Sequence, residues 1–405
     1  MAQIIQNLDL APTQQGIETC AVASGDVALY TGNWFAAYSI DSGHTFRTLN
    51  PKDMMRQVGY TFCCDQRVEY MPSISTFVWE LLSMEGPLML TVASPDQITS
   101  SHGLRWTRYV VTPAMLGFEN TTFDFPQLSF GARYLYLTAN LIPDGEGTST
   151  AFIMRLPLNA IQERATIPAQ FVQTPEWMGC PCHNTKGVGW VATLNSDSLI
   201  RVYSWEEPAN APVSWFDVNI ATVPSTNFDS DSPDGDGWLQ ATSKIQSNIT
   251  GAARSDENLF LAWSAGKTYS NGVPSLIPQS HIELANIDLG MKSLKEQRYI
   301  WNPNYAFAWP SLAANWGSPP AIGISFAWGG GLSNYPQYGV GTVYPRQHLL
   351  SPPSGLTIGS GGHYNDIRMN FPNTDQFVAT GFVQTKDRSV PPNVMNRPHY
   401  MILAP

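Results

Sequence analysis

Ser39-Ile40-Asp41-Ser42-Gly43-His44-Thr45-Phe46 is the stretch on which the reading of this chain turns. A carboxylate at Asp41 can accept the backbone N–H groups that follow it, as in an Asx-turn. Gly43 suits a φ that a Cβ would disfavour. Thr45 adds a local hydrogen bond, and Phe46 supplies an aromatic ring to pack between sheets. The octet predicts a tight turn between two strands. A degenerate copy follows: Thr99, Ser101, Gly103 and Trp106 fall in register with Ser39, Asp41, Gly43 and Phe46. There Ser101 replaces the Asp and Arg105 the Thr, so fewer hydrogen bonds should hold the second turn.

Working outward, the chain repeats. Seven apolar runs rich in aromatic and β-branched residues read as second strands of successive segments: 27–32, 77–82, 134–138, 188–192, 259–263, 321–326 and 376–381. Seven third strands begin near Trp34, Leu88, Ala151, Leu199, His281, Tyr338 and His399. First-strand openings share an aromatic, a nearby Pro, a polar residue and an aliphatic: Tyr70-Met71-Pro72-Ser73-Ile74, Phe125-Pro126-Gln127-Leu128 and Trp309-Pro310-Ser311-Leu312, with His363-Tyr364-Asn365-Asp366-Ile367 a looser version. Spread over 405 residues, seven segments give a period of about 58, longer than the ~40–50 of common propeller blades, so the surplus belongs in loops.

The octet fits S-x-D-x-G-x-T-aromatic and resembles the Asp-box of sialidase-like and other BNR-repeat β-propellers. With the seven repeats, the resemblance implies an all-β, seven-bladed β-propeller. It would be one domain over 1–405, with blades starting near 18, 65, 123, 183, 248, 305 and 363. The last segment ends on a third strand, Pro398 to Pro405, one strand short. The run Gln3 to Leu10 precedes the first blade and is expected to close the propeller as the outer strand of the last blade.

Composition agrees. Charged residues are 13% of the chain, about half the usual ~25%, while 13 Trp, 16 Tyr and 18 Phe supply ring surface between blades. A net charge of −10 without a basic patch argues against nucleic acid. The sequence has no apolar stretch of about 18 residues, so no membrane insertion by a helix is expected. An extracellular or cell-surface location is favoured. The five cysteines are Cys20, Cys63, Cys64, Cys180 and Cys182. They fit inert core thiols, one or two disulfides, or a soft-metal site with His183. Asp229, Asp231, Asp234 and Asp236 crowd one Gly-containing loop that reads either as a solvated acidic loop or as a structural Ca²⁺ site; no other cofactor is expected.

First strands of a propeller line its channel. The candidate ligand-binding residues there are Asp65, Gln66, Tyr70, Asp124, Trp309, Asp366 and Arg368, with Arg67, Gln127, Asn184 and Asn365 beside them. His183, Arg254, His363 and Tyr364 are the candidate catalytic set: His or Tyr to move a proton, Arg to neutralise a carboxylate. Seven-bladed polysaccharide lyases use these residue types on a propeller face. Sialidases are similar to one another in an F/Y-R-I-P motif, three carboxylate-binding Arg and six blades; this chain has no R-I-P and seven segments. Trp316 and Trp328 could stack on a sugar. The expectation is a binding or scaffold module for a glycan or protein ligand; the alternative is a glycan-cleaving lyase or hydrolase.

Overall fold

A computed structural model describes residues 1–10, 13, 18–183, 185–226, 228–233, 235, 237–239, 248–270, 273–274, 277–331, 333–351, 365–386 and 394–405. Among these, seven four-stranded antiparallel sheets account for most of the regular structure. Blade 1 comprises Cys20–Ser24, Val27–Gly32, Phe35–Ser39 and Arg47–Leu49; blade 2, Phe62–Met71, Thr76–Ser83, Leu88–Ala93 and Thr107–Val111. Blade 3 comprises Thr121–Phe130, Tyr134–Pro143, Thr150–Pro157 and Gln170–Thr174; blade 4, Cys180–Pro181, Val188–Ser196, Leu199–Glu206 and Val213–Asn219. Blade 5 comprises Ile249–Ser255, Asn258–Ala265, His281–Asp288 and Ser293–Ile300; blade 6, Ala306–Ala314, Ile322–Gly330, Asn334–Tyr344 and His348–Leu350. Blade 7 comprises Ile367–Met369, Phe377–Lys386 and Val394–Ala404, and its outer strand is Gln3–Asp9. The chain is a seven-bladed β-propeller closed by its N-terminal strand. It divides into two compact units, 20–191 with 203–215, and 1–19 with 192–202 and 216–405; blade 4 contributes residues to both.

Inner strands are apolar on both faces because a blade covers each. Thr76–Ser83 is buried at every position, whereas the outer strand Arg47–Leu49 buries only Leu49. Between blades 2 and 3 the core gathers Met71, Val78, Leu90, Leu128, Leu137 and Phe152. Glycines admit aromatic rings from the preceding blade: a Cβ on Gly189 would lie 2.2 Å from the Tyr136 ring, and one on Gly381 2.3 Å from that of Tyr338. Arg155, fully buried, ties blade 3 to blade 4. Its guanidinium donates to the carbonyls of Glu206 (2.5 Å) and Ala209 (2.9 Å) and lies 4.3 Å from the Trp205 ring.

The Asp41 turn forms as its residues dictate. Asp41 accepts from the Thr45 amide (2.9 Å) and hydroxyl (2.5 Å), and Ser39 Oγ donates to it at 2.7 Å while accepting from Gly43 N at 2.9 Å. Gly43 has φ 77°. In the degenerate copy Ser101 Oγ takes the acceptor role toward the amides of Leu104 (3.2 Å) and Arg105 (3.0 Å), Gly103 has φ 75°, and Trp106 packs edge-on against Trp79 at 5.6 Å.

First strands carry a recurring bulge. Gln66 pairs with Leu81 and Phe62 with Ser83, so Cys63, Cys64 and Asp65 oppose Leu82 alone. In blade 3 the break lies between Asp124 and Gln127, in blade 6 between Ala308 and Ser311. Phe125 and Trp309 sit at these breaks with φ of 49° and 58°, each followed by a Pro that needs no ladder partner. The Tyr70-Met71-Pro72-Ser73-Ile74 segment is placed differently from expectation: Tyr70 and Met71 end their strand and Pro72–Ile74 is a 3₁₀ turn. Part of the acidic segment is also not a plain loop. Ser230–Asp231 pairs with Gly237–Leu239, and Trp238 is buried.

Candidate functional site

In blade 2 the first strand sends alternate side chains to its two neighbours. Gln66 turns to blade 1, where its amide donates to Gly32 O (2.7 Å) and Phe35 O (3.1 Å) and accepts from Trp79 Nε1 (2.9 Å). It is buried, and all of this capacity serves the fold. Tyr70, equally buried, packs on Phe77 with ring centroids 4.8 Å apart. Arg67 turns to blade 3, donating to Pro126 O at 3.1 Å beneath the Phe125 ring. Glu80 stands directly across the ladder from Arg67 and is fully buried. Neither of its oxygens makes a well-formed hydrogen bond, the backbone N–H of Arg67 lending weak support. Burial, aided by the negative charge of Asp65 and opposed by Arg67, holds its carboxyl well above the usual carboxylate range. Asp65 and Asp124 lie half-buried at the bulges of blades 2 and 3.

His183, one of the expected catalytic residues, has a carboxylate beside it: Nδ1 lies 3.5 Å from Glu69 Oε2, with the imidazole 13% exposed. Glu69 is itself on the blade 2 first strand, accepting from Tyr70 N at 3.1 Å. Arg254 instead serves its own hairpin, donating to Asp256 O at 2.7 Å and pairing with Glu257 at 3.5 Å. His363 and Tyr364, with Asn184, Asp234 and Asp236, lie outside the described residues. Asp229 pairs with Lys267 at 2.8 Å, and Asp231 sits in the short hairpin. Among the described residues no group of three His, Cys, Asp or Glu side chains is gathered as a metal site would need.

Asp366 and Arg368 join blades. The Asp366 carboxylate accepts from Ser311 Oγ of blade 6 (2.8 Å), from Ile367 N (2.8 Å) and from Arg368. Its own N–H donates to Thr380 Oγ1 at 2.9 Å, and Thr380 in turn contacts Thr19 at 2.8 Å. Trp309 is buried, its amide donating to Ser264 Oγ of blade 5 at 2.9 Å. Burial leaves these rings and carboxylates little surface for a ligand. Trp328 packs on Tyr305 at 5.0 Å.

A concavity lies elsewhere, at the ends of blades 6 and 7. A cleft of about 650 Å³ is bounded by the segments 315–321 and 342–348, by Asp375, and by the paired ends Met1–Ala2 and Ala404–Pro405. Its rim is held rigidly. Asn315 Oδ1 accepts from Ala321 N (2.6 Å), and Nδ2 donates to Asp375 O (2.7 Å). Trp316 N donates to Thr374 O at 2.7 Å, and Thr342 Oγ1 to Arg346 O at 3.0 Å. Trp316, between the lining residues Asn315 and Gly317, has 44% of its surface exposed and braces edge-on against Phe371. Tyr344, Arg346, His348 and Asp375 add polar groups to the walls. Of this site the sequence points only to Trp316, as an indole able to stack on a sugar; the rest belongs to loops that tertiary structure brings together, with the aromatic and basic content of Tyr344-Pro345-Arg346-Gln347-His348 as their trace.

Among the described residues no helix is long and apolar enough to cross a membrane. No protein-family model and no curated protein matches the sequence. Among solved structures the chain is similar to prolyl oligopeptidase B from Galerina marginata, with TM-score 0.48 and 12% identity over 96% of this chain and 50% of that one. It thus spans half the length of that enzyme. It is also similar to the GH93 alpha-L-arabinofuranosidase of Fusarium graminearum, with TM-score 0.45 and 10% identity over 98% of this chain and 97% of that one. A third likeness is to the Dos1 propeller, with TM-score 0.44 and 11% identity over 100% of this chain and 95% of that one.

Proposed function

We propose that the chain is an Asp-box propeller of the BNR type acting as a binding or scaffold module, with a glycan or protein ligand at one face. The observation that carries this reading is the cleft at the ends of blades 6 and 7. Its volume of about 650 Å³ falls within the ~300–1,000 Å³ of small-ligand sites. The Tyr344 ring lines the cleft, the half-exposed Trp316 indole stands beside the lining residues Asn315 and Gly317, and such rings can cover a sugar ring or an apolar side chain; Arg346, His348 and Asp375 can hydrogen-bond hydroxyls or amides. The first-strand residues Gln66, Arg254, Asp366 and Arg368 support the same reading, since the hydrogen bonds they make serve the fold: to a neighbouring blade from Gln66 and Asp366, within its own hairpin from Arg254, and to the adjacent Asp366 and Ile367 from Arg368. The acidic hairpin at 229–239 fits a solvated surface element better than a Ca²⁺ site, given the Asp229–Lys267 pair.

The test is a glycan array with the full chain, paired with a reducing-end release assay. Binding without release is expected, and Trp316→Ala and Arg346→Ala should each weaken it about tenfold. Unchanged binding in both variants would remove the cleft from the proposal. A second reading, a glycan-cleaving lyase or hydrolase, is favoured by the Glu69–His183 pair alone. It requires turnover that disappears in His183→Ala or His363→Ala.

A further inference from the structure

Cys63 and Cys64 are adjacent in sequence, and in a regular strand adjacent side chains point to opposite faces. Here they do not. The ladder breaks between Phe62 and Gln66, three residues oppose one, and the alternation is lost. Both side chains pack against the same core, that between blades 2 and 3, and hydrogen bonding from Cys64 favours charge on Cys63. Each is half-buried, packed on one side against the core between blades 2 and 3 and open on the other. All five cysteines are among the described residues and none is bridged. The other three, Cys20, Cys180 and Cys182, are buried.

We propose that Cys63 and Cys64 form a vicinal dithiol site that reacts with low-molecular-weight disulfides, Cys63 attacking and Cys64 resolving. The two donors from Cys64 favour a thiolate on Cys63. They bring its thiol down to about 7, against burial and the nearby charge of Asp124. Cys64 is pushed the other way by donating to Cys63, by burial and by Asp65, and so stays a protonated thiol. A low-lying thiolate beside a resolving thiol is the arrangement of redox-responsive cysteines.

The chemistry balances without a further reactant. The Cys63 thiolate attacks one sulfur of RS–SR; that S–S bond breaks, a mixed disulfide forms on Cys63, and RS⁻ leaves. The departing RS⁻ takes the Cys64 proton, and the Cys64 sulfur attacks Cys63, expelling the second RS⁻. The dithiol loses two electrons and the small disulfide gains them. Consecutive Cα atoms across a trans peptide are about 3.8 Å apart, below the ~4.4 Å lower bound usual for disulfides. The oxidised pair is therefore strained and readily reduced, which suits a reversible modification rather than a structural bridge.

The probe is 5,5′-dithiobis(2-nitrobenzoate) added to the native full chain. A fast phase should release two equivalents of the coloured thiol. The product should be lighter by two hydrogens with no retained adduct, and should return to the starting mass with dithiothreitol. The rate should rise with pH around a midpoint of about 7. Cys64→Ser should keep the fast phase, halve the release and retain the adduct on Cys63; Cys63→Ser should abolish the phase. Persistence of the fast phase in Cys63→Ser, or reaction of all thiols only on unfolding, would overturn the proposal. If Cys63→Ser does not fold, as judged by near-ultraviolet dichroism, peptide mapping of briefly treated wild-type protein decides. The modification must fall on the peptide holding 63–64, and its appearance on Cys20, Cys180 or Cys182 would equally overturn the proposal.

Discussion

Asp41 shows what a single residue can reveal about its surroundings. Its hydrogen bond with the Thr45 side chain, opposed by burial and aided by Ser39 and the Thr45 amide, holds its carboxyl at about 2. A carboxyl lowered in the folded state stabilises the protein above the ordinary carboxylate range, and that contribution fades as pH falls from about 4 toward 2. Asp41→Ala should cost about 1–2 kcal/mol, seen in urea unfolding at pH 7 and shrinking toward zero near pH 2; ligand binding by the folded variant should be unchanged. Glu80 carries the opposite sign. Its carboxyl is raised by burial first, then by Asp65, so the native state holds a proton the unfolded chain releases, and stability falls as pH rises above about 4.3. Glu80→Gln should therefore match wild type near pH 4.5 and exceed it by about 1 kcal/mol or more at pH 8. A constant difference across that range would show that Glu80 does not titrate as its setting requires. The Asp41 turn is legible in the sequence because its chemistry is local. The roles of Glu80 and Arg155 are not, because burial of a charge depends on which blade packs against it.

At the scale of elements, strands with local signals are legible and their distortions are not. The second strands appear where the aromatic and β-branched runs place them, and Leu88, Leu199 and His281 are the first residues of their third strands, whereas Tyr338 and His399 fall inside strands that begin at Asn334 and Val394. The aromatic–Pro pair stands out in the sequence, but it does not open a strand; at Phe125-Pro126 and Trp309-Pro310 it marks a bulge, and at Met71-Pro72 a strand end. Pro is compatible with all these places because it lacks a donor, so the dipeptide alone does not distinguish them. The cleft is largely illegible for a related reason: its loops come together through tertiary contacts such as Asn315 with Asp375 and Trp316 with Thr374. The same junction gives a test. Asp366 joins Ser311 of blade 6 to the start of blade 7 and neutralises the buried Arg368. Asp366→Ala would remove the carboxylate paired with that guanidinium, whose remaining contacts, such as Ile367 O at 3.0 Å, carry no charge; breaking such a buried pair costs about 3–5 kcal/mol. The urea midpoint should fall accordingly, and Asp366→Asn, which keeps an acceptor but not the charge, should fall between. A variant as stable as wild type would show that Arg368 finds other partners.

The whole molecule depends on a closure that the count of strands in the sequence already implies: a last segment one strand short and a strand-like run left over at the start. Gln3–Asp9 does pair antiparallel with Val394–Ala404, Gln3 opposite Ala404 and Asp9 opposite His399. Leu10 N extends the ladder to Pro398 O at 2.8 Å. Ile4 packs with Leu403 and Phe377, and Leu10 is 5% exposed. His399 Nδ1 lies 2.8 Å from Asp9 and 3.3 Å from Asn7 Oδ1, and burial holds the ring down to about 4 against the pull of the Asp9 carboxylate. Removing residues 1–10 would take away the packing of Ile4, Leu8 and Leu10, two half-buried and one buried. At ~1.5–3 kcal/mol for a fully buried aliphatic that is roughly 3–6 kcal/mol, a large part of the ~5–15 kcal/mol that holds a typical domain. It would also bare the Val394–Ala404 edge, whose free N–H and C=O groups invite pairing between molecules. The truncated chain should melt well below the full one and sediment as aggregates. Deleting 145–147, an exposed stretch between the second and third strands of blade 3, should be far milder. Supplying residues 1–12 as a separate peptide should restore part of the melting temperature, since the closure is non-covalent. Equal melting temperatures for the full and truncated chains would mean that the propeller holds without its N-terminal strand.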